Sequence, residues 1–127
     1  MNVVDSSGWI EYLVEGPNAS FFQEPLTEVE ALVVPSISVF EVYRYVLRQR
    51  GRTDALAVAA SMRQGRVIDL DAGLAVEAAE LGASLKLPMA NSIIYAVAQA
   101  HEATLWTQDT DFQGLEGVQF KAKGGAL

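Results

Sequence analysis

The chain predicts an α/β domain built on a mainly parallel sheet, and three features carry that expectation. Short apolar runs at residues 2–5, 31–34, 66–70, 104–107 and 118–120 have the length of buried strands. Helix-patterned segments separate most of them, and strands alternating with helices imply parallel crossovers. At 127 residues, with 50% hydrophobic and 20% charged residues, the chain suits one domain with a continuous core over 1–127.

Residues 2–5 run into Ser6-Ser7, and either serine can cap a helix through Ile10, Tyr12 and Leu13. Gly16-Pro17-Asn18 breaks that helix. A second begins near Ala19 to Phe21, with its length limited by Pro25, since proline fits a helix interior poorly. The strand over 31–34 stops at Pro35. Ser36 or Ser38 then caps a longer helix through Phe40, Tyr43, Val46 and Leu47, closed by Gly51. Thr53 opens another helix, with Leu56, Ala59, Ala60 and Met62 on one side. After the strand at 66–70, the alanine-rich segment 72–85 has high helix propensity and apolar spacing at Leu74, Ala78, Leu81 and Leu85. Pro88 divides it from a helix over 91–101 with Ile94, Val97 and Ala98 as its inward stripe. Strands at 104–107 and 118–120 complete the sheet, and 121–127 reads as a frayed tail.

Composition removes several function classes. There is no cysteine, so disulfides and thiolate ligands are excluded, and His101 is the single histidine. Zinc sites need more nitrogen or sulfur ligands than that, which turns any metal site towards Mg²⁺ or Mn²⁺. The N-terminus lacks a basic, then apolar leader pattern, and no apolar run approaches membrane-spanning length, so the expected location is cytoplasmic. A net charge of −7 opposes nonspecific binding to a polyanion, and a nucleic-acid role therefore needs a local basic patch. Arg44, Arg48, Arg50 and Arg52 offer one; simple solvation of a helix C-terminus explains them equally well.

Asp5, Glu41, Asn91 and Asp109 each stand at the edge of an apolar segment. In open α/β sheets ligands bind beyond the carboxyl ends of the strands, where Asp5 and Asp109 fall, while Glu41 and Asn91 are placed in the first turns of helices. All four can face one crevice and give an oxygen-lined site for a hard cation. Singly, each has a structural explanation: Asp and Asn cap helices, and Glu41 can pair with Arg44 one turn along. Trp9, Tyr12, Phe40 and Trp106 read as core or partner-facing aromatics rather than base-stacking platforms. His101, about three turns beyond Asn91, reads as a surface residue.

Val4-Asp5-Ser6-Ser7 with Trp9-Ile10, Val34-Pro35-Ser36 leading to Phe40-Glu41-Val42, Leu87-Pro88-Met89-Ala90-Asn91 leading to Ile94-Tyr95-Ala96, and Ala103-Thr104-Leu105-Trp106-Thr107-Gln108-Asp109-Thr110-Asp111-Phe112 together resemble the PIN-domain ribonucleases of the VapC toxin type. The resemblance runs through almost the whole chain in order. It implies a three-layer α/β/α fold, Mg²⁺- or Mn²⁺-dependent cleavage of RNA, a VapB-type antitoxin as partner, and a homodimer. Asp5, Glu41 and Asp109 match three of the family's four metal-site acids; Asn91 stands where the fourth is an Asp, a substitution of engineered or natural origin. Ser6 and Thr107 are candidates to hydrogen-bond a ligand carboxylate, and Asp111 is a turn residue or an additional supporting acid. Arg44 and Arg48 are candidates to guide RNA.

Two other enzyme patterns fail on their residues. An Asp-based phosphatase needs a second Asp close after Asp5, where Ser6 and Ser7 stand, and a receiver domain needs a neighbouring acid pair with a placed Lys. The alternative that survives is a catalytically silent PIN-like module that binds a protein partner.

Overall fold

A computed structural model describes residues 1–124, so 125–127 of the expected tail lie outside the described residues. The elements run β1 (Asn2–Val4), α1 (Ser6–Leu13), α2 (Ala19–Thr27), β2 (Leu32–Pro35), α3 (Ser36–Arg50), α4 (Arg52–Met62), β3 (Arg66–Ile68), α5 (Ala72–Leu85), α6 (Met89–Ala100), β4 (Thr104–Thr107) and β5 (Val118–Phe120). The five strands make one sheet in the order β3-β2-β1-β4-β5, and every pairing is parallel.

Strand side chains alternate between faces, so each buried strand feeds two cores. Val4, Leu32 and Val34 point to one side, where Trp9, Phe22, Leu26, Val42, Val46, Ala55 and Met62 from α1 to α4 cover them. Val3, Val33 and Leu105 point to the other, under Ile94, Tyr95, Val97 and Ala98 of α6, with Leu74 and Leu81 of α5 at the margin. The result is the three-layer α/β/α arrangement that the resemblance implies.

Several local expectations are corrected. Neither Ser6 nor Ser7 caps α1: Asp5 is the N-cap, and its carboxylate accepts from Gly8 N at 2.8 Å. Pro35 is the last residue of β2, opposite Ile68, and precedes α3 without a side-chain cap. Ser36 therefore starts the helix and Ser38 lies inside it, its buried Oγ without a hydrogen-bond partner among the described residues. This start puts Glu41 in the second turn of α3, not the first. Pro25 stays within α2, whose Phe22 and Leu26 are buried; apolar burial offsets the hydrogen bond that proline removes. β3 ends at Ile68, because Asp71 caps α5 by accepting from Leu74 N and draws the chain out of the sheet.

Gly51 closes α3 with φ of 94° and ψ of 179°, a conformation that side chains oppose, and α4 follows at once. On the far side of the sheet, β1 and β4 are in register as Val3↔Leu105 and Val4↔Trp106. The backbone bond from Asp5 N to Trp106 O carries that register one step further and sets Asp5 beside Thr107.

Candidate active site

The strand order reverses at β1, with β2 on one side and β4 on the other, so the carboxyl ends of β1 and β4 lie at the switch point, where open α/β sheets place the crevice that binds ligands. Asp5 lies at the base of it, 2% exposed. Thr107 Oγ1 donates to Asp5 Oδ2 at 2.6 Å, Ser7 Oγ reaches both carboxylate oxygens at 3.0 Å, and Gly8 N binds Oδ1. Burial still dominates: desolvation pushes the Asp5 carboxyl from 3.8 up to about 6, the three kinds of donor oppose it, and the charge of Asp109 adds a smaller upward push.

Thr107 joins the two acids. Besides donating to Asp5, its hydroxyl accepts from Asp109 N at 2.9 Å, and Asp109 Oδ1 in turn accepts from Asp111 N at 2.9 Å. Asp109 thereby caps the short 3-10 turn Thr110–Phe112. Phe112 is fully buried and anchors the turn from below.

Asn91, in the first turn of α6, faces this pair. Its Nδ2 donates to Asp109 Oδ2 at 3.1 Å and to Asp111 Oδ2 at 3.2 Å. Carboxylates only accept, so the amide must turn its nitrogen towards them. Asn91 is not the cap of α6; Pro88 holds that position. Glu41 reaches the cluster from α3 through Ser6, whose Oγ donates to Glu41 Oε1 at 2.6 Å. The alternative pairing of Glu41 with Arg44 gives way to another contact: the Arg44 guanidinium lies over the Phe40 ring, 5.4 Å from its centroid.

The structure thus brings Asp5, Thr107, Asn91, Asp109 and Asp111 into one network and attaches Glu41 through Ser6. Arg44 and Arg48 lie along the exposed side of α3, and His101 ends α6 with Nδ1 3.0 Å from Val97 O. Sequence reasoning missed Ser7 and the Gly8 amide. The signal was the helix start itself: an Asp at the N-cap aims its carboxylate at the N–H groups two and three residues on, and Ser7 and Gly8 occupy those places.

The carboxylates of Asp5, Glu41 and Asp109 match a hard divalent cation in kind, whereas Asn91 presents its amide nitrogen to Asp109 and Asp111. In number the set is lean. Among the described residues no three His, Cys, Asp or Glu side chains converge to hold a metal ion, so the expected trio of Asp5, Glu41 and Asp109 is not gathered into one ligand set. Mg²⁺ keeps several waters and takes one or two carboxylates, a number that Asp5 and Asp109 could supply.

The PIN domain family model matches residues 3–118, and the chain belongs to that family. No curated protein sequence matches it. Among solved structures it is similar to a toxin–antitoxin complex from Klebsiella pneumoniae, with a TM-score of 0.78 at 22% identity over 94% of this chain and 96% of the other. A VapC toxin of Mycobacterium tuberculosis that cleaves the sarcin–ricin loop gives 0.75 at 18% identity over 93% and 97%. A VapBC complex of Rickettsia felis bound to a promoter DNA fragment gives 0.72 at 16% identity over 95% and 97%. At such identities the likeness is one of fold.

Proposed function

We propose that the protein is a VapC-type endoribonuclease toxin that depends on Mg²⁺ or Mn²⁺, with activity weakened by Asn91. The observation that carries this reading is the pair Asp5 and Asp109, tied through one buried threonine hydroxyl at the carboxyl ends of adjacent parallel strands. Asp5 and Asp109 would hold the cation, with Glu41 as a further donor, and the carbonyl oxygen of Asn91 would join them only after the amide turns over and releases Asp109 and Asp111. Such an ion, when bound, acidifies water and offsets negative charge on a phosphodiester. The chain supplies the rest. Thr107 and Ser7 fix the Asp5 carboxylate, Asp111 N fixes Asp109, and Ser6 fixes Glu41, so the acids are oriented before a ligand arrives. The same reading assigns RNA as substrate, a VapB-type antitoxin and a second copy of the chain as partners, and a cytoplasmic location. No helix among the described residues is long and apolar enough to cross a membrane.

A silent protein-binding PIN module is the second reading, favoured by the Asn91 amide bridging Asp109 and Asp111. Asn91→Asp separates the two. Under the nuclease reading the variant binds Mn²⁺ more tightly in calorimetric titration and cleaves RNA faster with Mg²⁺. Unchanged affinity together with unchanged cleavage would transfer the assignment to the silent module.

A further inference from the structure

Phe40 immediately precedes Glu41 yet is 59% exposed. The inward face of α3 is Ser38, Val42 and Val46, four residues apart, which leaves Phe40, Arg44, Leu47 and Arg48 together on the outward stripe. On that stripe the Arg44 guanidinium lies 5.4 Å from the centroid of the Phe40 ring, within cation–π range, so the ring is held by its own helix while it faces solvent. An aromatic ring fixed beside a cationic row is the combination with which proteins hold unpaired nucleotides: the ring stacks on a base, and the charges follow the backbone.

We propose that Phe40 is a stacking platform for one unpaired base of an RNA strand, with Arg44 steadying the ring and Arg44 and Arg48 meeting the flanking phosphates. The proposal rests on the nuclease reading above, because it is the acid crevice that requires a polyanion to approach a protein of net charge −7. Charge complementarity favours RNA as the occupant: the stripe places two guanidinium groups beyond Glu41, where a strand entering the crevice needs compensation. Stacking is tolerant of sequence, since every base has a π-face, so the platform would add affinity and position rather than read a base.

The test is equilibrium binding of a labelled twelve-nucleotide single strand to the 127-residue chain in EDTA, which separates binding from cleavage. Phe40→Ala should weaken binding about five- to hundredfold, the range expected for loss of one base–aromatic stack. Phe40→Tyr should retain the affinity and Phe40→Leu should lose it, which a merely apolar contact would not do. A strand with the same phosphates but abasic sugars should bind the parent protein and Phe40→Ala equally. If Phe40→Ala or Phe40→Leu binds the intact strand as the parent does, the platform is overturned while the nuclease reading stands. If that loss of affinity is absent and Phe40→Ala instead alters sedimentation, the stripe belongs to an interface between copies of the chain. Failure of the parent to bind any RNA would overturn both readings.

Discussion

Asp5 carries a structural and an electrostatic demand in one side chain. It caps α1 and is almost wholly buried, and its carboxyl is pushed up to about 6. Because the folded value lies above the ordinary one of 3.8, the folded state binds the proton more tightly than the unfolded state. The associated stability is therefore present in full below about pH 4 and is lost as the pH rises through about 6, a change on the order of 3 kcal/mol for this one group. In EDTA, urea midpoints between pH 4 and 7 should fall more steeply for the parent than for Asp5→Asn; parallel curves would show that Asp5 does not titrate in this window. Thr107 has a different test. Its buried hydroxyl is both the 2.6 Å donor to Asp5 and the acceptor for Asp109 N. Thr107→Val keeps the shape, takes from Asp5 its shortest hydrogen bond and leaves Asp109 N without its acceptor, so it should lower stability by about 1–3 kcal/mol, whereas Thr107→Ser should restore most of it. Equal denaturation midpoints for Val and Ser would mean that the hydroxyl does not link the two acids.

At the level of elements, close approach explains why α1 sits where it does. A Cβ placed on Gly8 would lie 2.6 Å from Phe22 Cε1 and 2.7 Å from Val4 Cγ1, both fully buried side chains. Gly8→Ala should therefore destabilise by about 1–3 kcal/mol through overpacking, despite a gain of nearly 1 kcal/mol in helix propensity. A guanidinium midpoint at or above that of the parent would show that α1 can shift outward without cost. The strands at 104–107 and 118–120 were legible from sequence through their β-prone Thr, Trp, Val and Phe residues, and so was α5, whose alanine content leaves little competition. Helix starts were not, since four serines offered themselves as caps and Asp5 and Pro35 hold the positions instead. Phe40 misled for another reason: apolar spacing grouped it with Tyr43 and Val46, while the inward stripe runs through Ser38, and a small polar residue gives no hydrophobic signal. The bridge from Asn91 to Asp109 and Asp111 joins positions 18 and 20 residues apart across β4, beyond the reach of any local pattern.

At the scale of the molecule, the nuclease reading requires a chain of net charge −7 to attract RNA through a few local cations against a repulsive background. Replacing Arg48 by Ala should lower RNA affinity and reduce the slope of log affinity against log salt by about one, with little effect on melting. An unaltered slope would return Arg48 to the role of helix-end solvation. The central strand has one further consequence. β1 comprises residues 2–4, yet its neighbour β4 begins at Thr104, so the crevice is closed by segments a hundred positions apart. Pairings so distant are the slowest to form, because loop closure precedes any reward. During synthesis, a growing polypeptide holds Asp5 without Thr107 or Asp109 until the segment bearing them has left the ribosome. Under the nuclease reading, any injurious activity is thus withheld from the nascent chain until both segments can pair, which would give a co-produced inhibitor an interval in which to be waiting.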